Sequence, residues 1–419
     1  MKTINVVAAG LGYALLERNG MTEIAGLRFA PKRSVFPAVT CVAQATLRTG
    51  LAPSEHGMIS NGYWSETLRK PVFWEQSCRL VKGERKWSRK SGVFFFQQSL
   101  GEDVELIVSP APIHKHGGGM IMSCYTKPTE MARELERRCG KFPLWRYWGP
   151  LASPKVGRMC LSYFEEMTNV HDVDEAYLYL PTLDYVAQKH GPDSPAAKAA
   201  LREFRGQLER LADIASRRGC GLKVTGDYEI TAVTAEPVLP NVALRRAGLF
   251  RTRTVGGMSY PDFYQSTAFA MCDHEVCVIV GPERRRAAEV LLATGELESV
   301  GDLGSVGSLG SLGSVGSLGS VGDLGSVGSV GDLESVGSVG DLGTVGTIGA
   351  TGVGGTVLVA KKGSWCGYEW WTDRREAPDF ASHVDIHNKP GYDPKELFLF
   401  NRGVVKGTHG RPCEVACAN

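Results

Sequence analysis

From residue 298 to about residue 355, glycine returns at nearly every third place, separated mostly by Ser-Val, Ser-Leu or Asp-Leu pairs. Ordering such a tract costs heavy backbone entropy, and its side chains form no broad apolar face. The period of three matches a polyproline II winding, without the proline that a collagen needs. The tract is read as a mobile insertion, with a stacked glycine-rich bundle as the alternative. The core must therefore come from residues 1–297 and 356–419. Thr356–Ala360 reads as a strand directly after the tract, so the insertion lies within the domain that the two flanks complete together.

The flanks carry the signals of a sheet covered on both faces. Asn5 to Leu11 is short and mostly apolar, Val93 to Phe96 wholly so, and both read as buried strands. Glu175 to Leu180 is a third strand, ended by Pro181. Ser194-Pro195 opens the clearest helix: Ser caps it, and Pro takes the first position. Leu201, Phe204, Leu208, Leu211 and Ile214 recur at helical spacing until Gly219 closes it. Leu222–Thr225 then reads as a strand, and helix followed by strand is half of a parallel βαβ unit. Thr129 to Arg138 reads as a solvent-faced helix, Ala268 to Val280 as one long strand, and Pro282 to Leu292 as a basic helix leading out of the fold. The fold class is α/β, with a mostly parallel central sheet between helices.

Charge and cysteine usage narrow the partners. A net charge of +2 over 419 residues gives no bulk attraction for nucleic acid. No apolar run is long enough to span a bilayer, so no membrane is expected. The apolar start reads as a buried first strand, since no Ala-x-Ala cleavage site follows it. The 11 cysteines are scattered and odd in number, which fits reduced thiols in the cytoplasm, and no Cys-x-x-Cys zinc pattern occurs. The sequence leaves the oligomeric state open.

Thr40 stands where a helix can begin after Pro37, with Gly50 as its terminator. A hydroxyl there faces whatever anion the helix amides attract; the plain reading is an N-cap. Asp184 lies just beyond the Glu175–Leu180 strand, and Asp227-Tyr228 just beyond the next, at the edge where open α/β sheets bind ligands. Gln44 and the loop residues Asn61, Tyr63 and Trp64 are candidates for lining a substrate pocket. Asp273-His274 reads either as a ligand pair or as a structural pair within its strand. His114 and His116 sit in a loop without acidic partners, which argues against a metal there.

The run Thr40…Thr49-Gly50-Leu51-Ala52-Pro53…His56-Gly57 resembles the nucleophile segment of the alkaline phosphatase superfamily, in its type I phosphodiesterase/nucleotide pyrophosphatase branch. Asp184, Asp227 and the late stretch Ala377-Pro378-Asp379…Asp385-Ile386-His387-Asn388-Lys389-Pro390-Gly391-Tyr392 follow in the order of that branch. The resemblance implies Thr40 as nucleophile and as metal ligand, with Asp184, Asp227 and His387 as further ligands of a divalent metal, zinc. Asp385, Asp273, His274 and His190 are secondary candidates. Ala9, Gln188 and Tyr228 depart from the pattern at three positions where it has ligands. The implied function is metal-dependent hydrolysis of phosphate diesters or nucleotide pyrophosphates, on a small phosphorylated substrate. The alternatives are a catalytically silent anion or nucleotide binder on the same fold, and a hydrolase of phosphonate esters.

Overall fold

A computed structural model describes residues 1–117, 119–300, 355–382, 389–398 and 403–419. The body of the glycine repeat, together with Asp385 and His387, therefore lies outside the described residues.

The sheet is ordered by burial. Thr3–Ala8 buries Ile4, Val6 and Ala8 on one face and Val7 on the other, and it takes the centre. It pairs in parallel with Glu175–Leu180 on one side and Gly221–Gly226 on the other, so that Val6 lies between Leu178 and Val224. Ser91–Phe94 and Leu106–Pro110 extend the parallel run beyond Glu175–Leu180. Three antiparallel strands finish the eight: Cys124–Lys127 at one edge, then Glu414–Ala418 and Ala30–Arg33 at the other. The helix Pro195–Arg218 begins as expected, with Ser194 Oγ accepting the Ala197 N–H and Gly219 ending it in left-handed conformation. It buries Leu201, Phe204, Leu208, Leu211 and Ile214 in the core of this sheet, which Val156–Val170 also helps to cover.

A second sheet carries two corrections. Ala268 to Val280 is not one strand but a hairpin, Phe269–Asp273 against Val276–Val280, with His274 and Glu275 at the bend. The basic helix Arg284–Ala293 does not lead outward. Its Ala287, Ala288 and Leu291 are buried in this sheet's own core. Thr356–Ala360 pairs antiparallel with both Val276–Val280 and Leu297–Ser299. The chain thus leaves for the repeat and returns from it at neighbouring strands.

Candidate functional site

The C-terminal ends of the three central parallel strands deliver the site. Gly10 follows the first, Asp184 starts the short helix Asp184–His190 after the second, and Asp227-Tyr228 follows the third. Gly10 adopts a φ of +72°. That left-handed turn, natural only for glycine, aims its N–H at Asp227 Oδ1, 3.1 Å away. Gly226 lets the strand ends close up, because a Cβ there would sit 2.2 Å from the Leu11 carbonyl oxygen.

Thr40 opens the helix Thr40–Thr49, and Val39 is its N-cap. The hydroxyl does not cap the helix. It lies 3.4 Å from the Tyr228 hydroxyl, with the residue only 6% exposed. The segment before it is held from the far end of the chain: Ala38 N–H donates to the Gly410 carbonyl, and the Ala38 carbonyl accepts from His409 Nδ1 at 2.9 Å. A carbonyl can only accept, so the Nδ1 of His409 carries the hydrogen. Burial and the neighbouring His274 hold His409 well below the usual imidazole range, in keeping with a neutral ring.

The two acids differ in their surroundings. Asp227 Oδ1 accepts from the N–H groups of Gly10 and Tyr228, and Oδ2 accepts from the Tyr179 hydroxyl at 3.0 Å. Burial still pushes its carboxyl well up, and the nearby Asp184 adds to this against those donors. Asp184 accepts from Gln188 Nε2 at 2.7 Å, and burial raises its carboxyl, with Gln188, His274 and the Tyr228 hydroxyl opposing.

Beside them four rings form a stack. Tyr228 lies flat on His409 with centroids 3.6 Å apart, His409 meets His274 at 3.7 Å, and His274 covers Tyr392 at 4.1 Å. His274 Nδ1 lies 2.9 Å from Asp273 Oδ1. Asp273 accepts in turn from the backbone and side-chain N–H groups of Asn61, whose own Oδ1 accepts the Cys41 N–H in the first turn of the Thr40 helix.

Thr40, Asp184, Asp227 and His274 therefore do gather. Other expected residues do not face this centre. Gln44 is fully buried and braces the Gln97 N–H. Trp64 packs edge-on against Phe263 in the second core, Tyr63 stands half-buried beside it on a short strand, and Asn61 is a bridge between elements. His190 closes the last turn of its helix at the surface side. His387 lies outside the described residues. His409 was missed, though a histidine between glycines in Gly407-Thr408-His409-Gly410 marked a tight loop that could bring an imidazole close to backbone.

The donor set does not fit a two-metal centre. Both Asp227 oxygens are engaged, Gln188 ties up Asp184, and a phenol stands at Tyr228. Among the described residues no group of three or more His, Cys, Asp or Glu side chains is arranged to hold a metal ion.

The profile of the family described as type I phosphodiesterase/nucleotide pyrophosphatase matches residues 4–299. Among solved structures the fold is similar to phosphonoacetate hydrolase from Sinorhizobium meliloti 1021, seen in complex with phosphonoformate. The two share 13% identity at a TM-score of 0.57, over 100% of this chain and 89% of that one. It is also similar to murine ectonucleotide pyrophosphatase/phosphodiesterase 5, at 13% identity and a TM-score of 0.50, over 100% and 88% of the two chains.

Proposed function

Because the chain belongs to the type I phosphodiesterase/nucleotide pyrophosphatase family of hydrolases, we propose that it hydrolyses a small phosphate or phosphonate ester with Thr40 as the attacking nucleophile. The observation that carries this reading is the buried Thr40 hydroxyl at the first turn of its helix, 3.4 Å from the Tyr228 hydroxyl and within the cluster that holds Asp184. The helix end attracts the phosphoryl oxygens. Tyr228 relays the Thr40 proton toward the Asp184 carboxylate, which burial makes a stronger base. A divalent metal, zinc foremost, would supply charge neutralisation and a lowered hydroxyl pKa when bound. The described side chains do not form its site, and no step here is routed through it.

A second reading, a silent binder of small phosphorylated ligands, is favoured by the fully engaged oxygens of Asp227. The eleven cysteines are all free, which supports a reducing compartment such as the cytoplasm.

One experiment separates the readings. Metal content is measured, then release of p-nitrophenol from bis(p-nitrophenyl) phosphate by wild type and Thr40→Ala, alongside calorimetric titration with AMP. Turnover lost in Thr40→Ala supports the hydrolase. Equal rates in the two proteins would remove Thr40 from its role, and inactive wild type that still binds AMP would favour the binder.

A further inference from the structure

The region of the second sheet carries a basic surface that the proposed chemistry does not use. The helix Arg284–Ala293 opens with three arginines, of which Arg284 is half-buried and Arg285 and Arg286 are exposed. The helix Pro240–Arg246 ends on Arg245 and an exposed Arg246. Arg251 and Arg253, both exposed, follow two places apart at the start of the ribbon Thr252–Val255, a spacing that sets them on one side of it. Thr267 ties these pieces together. Its N–H donates to the Leu249 carbonyl, and its own carbonyl accepts the Glu283 N–H. Ser266 beside it accepts the Arg251 N–H. The arginines of two helices and a ribbon therefore crowd around one strand end.

Few of these charges are answered. Arg286 pairs with Glu283 and Arg245 with Glu376, each at 2.9 Å. Asp262 turns its carboxylate to the Gln265 N–H. Among the described residues no carboxylate forms an ion pair with Arg246, Arg251, Arg253, Arg284 or Arg285, and Arg284 Nε is buried with no hydrogen-bond partner.

The complementary charge belongs to the same chain. Residues 301–354 hold Asp302, Asp323, Asp332, Glu334 and Asp341, and no lysine, arginine or histidine. Taking five negative charges from a net +2 leaves +7 on the rest of the chain. The described residues that flank this stretch lie against the basic face. Leu297–Ser299 pairs with Thr356–Ala360, and Thr356 stands opposite Ile279, two places before the Gly281 turn into the arginine helix. Gly355 sits so close that a Cβ on it would lie 3.6 Å from the Ile279 carbonyl oxygen. A chain as long as residues 301–354 reaches more than about 150 Å when extended, so distance does not keep its acids from the arginines.

We propose that this basic face is a docking surface for the chain's own acidic stretch, residues 301–354, whose carboxylates pair with Arg246, Arg251, Arg253, Arg284 and Arg285. The inference is independent of the hydrolytic reading. Exposed pairs are individually weak and are screened by salt, but anchoring both ends of the stretch beside the face keeps its local concentration high. The face is thereby closed to outside polyanions at low ionic strength.

The test is arginine modification by phenylglyoxal, mapped by mass spectrometry. It compares wild type with a variant in which Asp302→Asn, Asp323→Asn, Asp332→Asn, Glu334→Gln and Asp341→Asn remove the five charges. At low salt the five arginines should react about threefold more slowly in wild type than in the variant, and the difference should vanish near ~1 M salt. Arg133, exposed on the helix Met131–Cys139 of the first sheet, should react equally in both. The variant should also need more salt than wild type to leave a heparin column. Equal modification rates at low salt, or equal heparin retention, would show the face open in wild type and overturn the proposal. Protection that disappears on hundredfold dilution would overturn it too, by assigning the acids to a second copy. Should the variant fail to fold, wild type decides alone. The reactivity of the five arginines relative to Arg133 must rise with salt, and a flat ratio sinks the assignment.

Discussion

The acid at the end of the central sheet and the imidazole at the hairpin bend are both buried and both charged-type side chains, yet they are treated in opposite ways. Asp227 has three donors on its two oxygens, all within 3.1 Å. His274 has a partner on Nδ1 and, among the described residues, none on Nε2. A saturated group ties strand ends together and has little left to offer a ligand. A half-saturated one keeps a site open at a standing cost, and that cost makes sense where chemistry is done. The contrast divides the constellation into a scaffold half and a working half.

The sharpest way to break that division is to remove the saturated acid. Asp227→Ala leaves the Gly10 and Tyr228 amides and the Tyr179 hydroxyl unpaired, and should lower stability by about 3–5 kcal/mol, read as a shift of the urea midpoint. If the loss were under ~1 kcal/mol, Asp227 would not be scaffold. Asn61→Ala comes next, since it frees the Cys41 N–H and two contacts of Asp273 together. It should cost about 2–3 kcal/mol and lower turnover as well, because it unlinks the two halves.

Acid supplies a third probe, away from the stack. His56 accepts the Met58 N–H on Nδ1 and lies 2.9 Å from the Thr46 hydroxyl, and burial lowers it from 6.5 to about 4. Between those values the unfolded chain binds the extra proton. Stability is therefore full above pH 6.5 and falls by up to ~3 kcal/mol as pH drops toward about 4. His56→Gln should flatten that limb in urea titrations at several pH values. Asp227 and Asp184 carry the opposite sign: raised carboxyls gain relative stability as pH falls through their folded pKa, so they cannot be the source of the loss. The smallest expected effect is on the working half. Tyr228→Phe keeps the ring on His409 and deletes only the hydroxyl facing Thr40. It should change stability by less than about 1 kcal/mol while lowering turnover roughly tenfold or more, in the same p-nitrophenol assay.

Much of the scaffold was legible in the sequence because it is made by local rules. Uninterrupted apolar runs marked the central strands, and Ser194-Pro195 with Gly219 bracketed the longest helix. The placement of Thr40, Asp184 and Asp227 was legible because each opens a helix or follows a strand near the C-terminal ends of the central strands. The working half was not. Ala268 to Val280 holds no Gly, Pro or Asn to announce a bend, and the bend at His274 is imposed by Thr231, His409 and Arg411 from distant parts of the chain. His409 was overlooked for a related reason. Its value lies in reaching the Ala38 carbonyl, 371 positions earlier, a contact that no spacing rule can foresee. Trp64 and Gln44 misled in the other direction: residue type suggested a pocket, and packing made them core and brace.

The strand Glu414–Ala418 inserts between Gly221–Gly226 and Ala30–Arg33, one place in from the sheet's edge rather than outside it. The Gly407–Gly410 backbone that holds Ala38, two residues before Thr40, leads directly into that strand. Without Glu414–Ala418, Gly221–Gly226 and Ala30–Arg33 would face each other across unpaired edges, so one strand both seals the sheet and anchors the segment that sets Thr40.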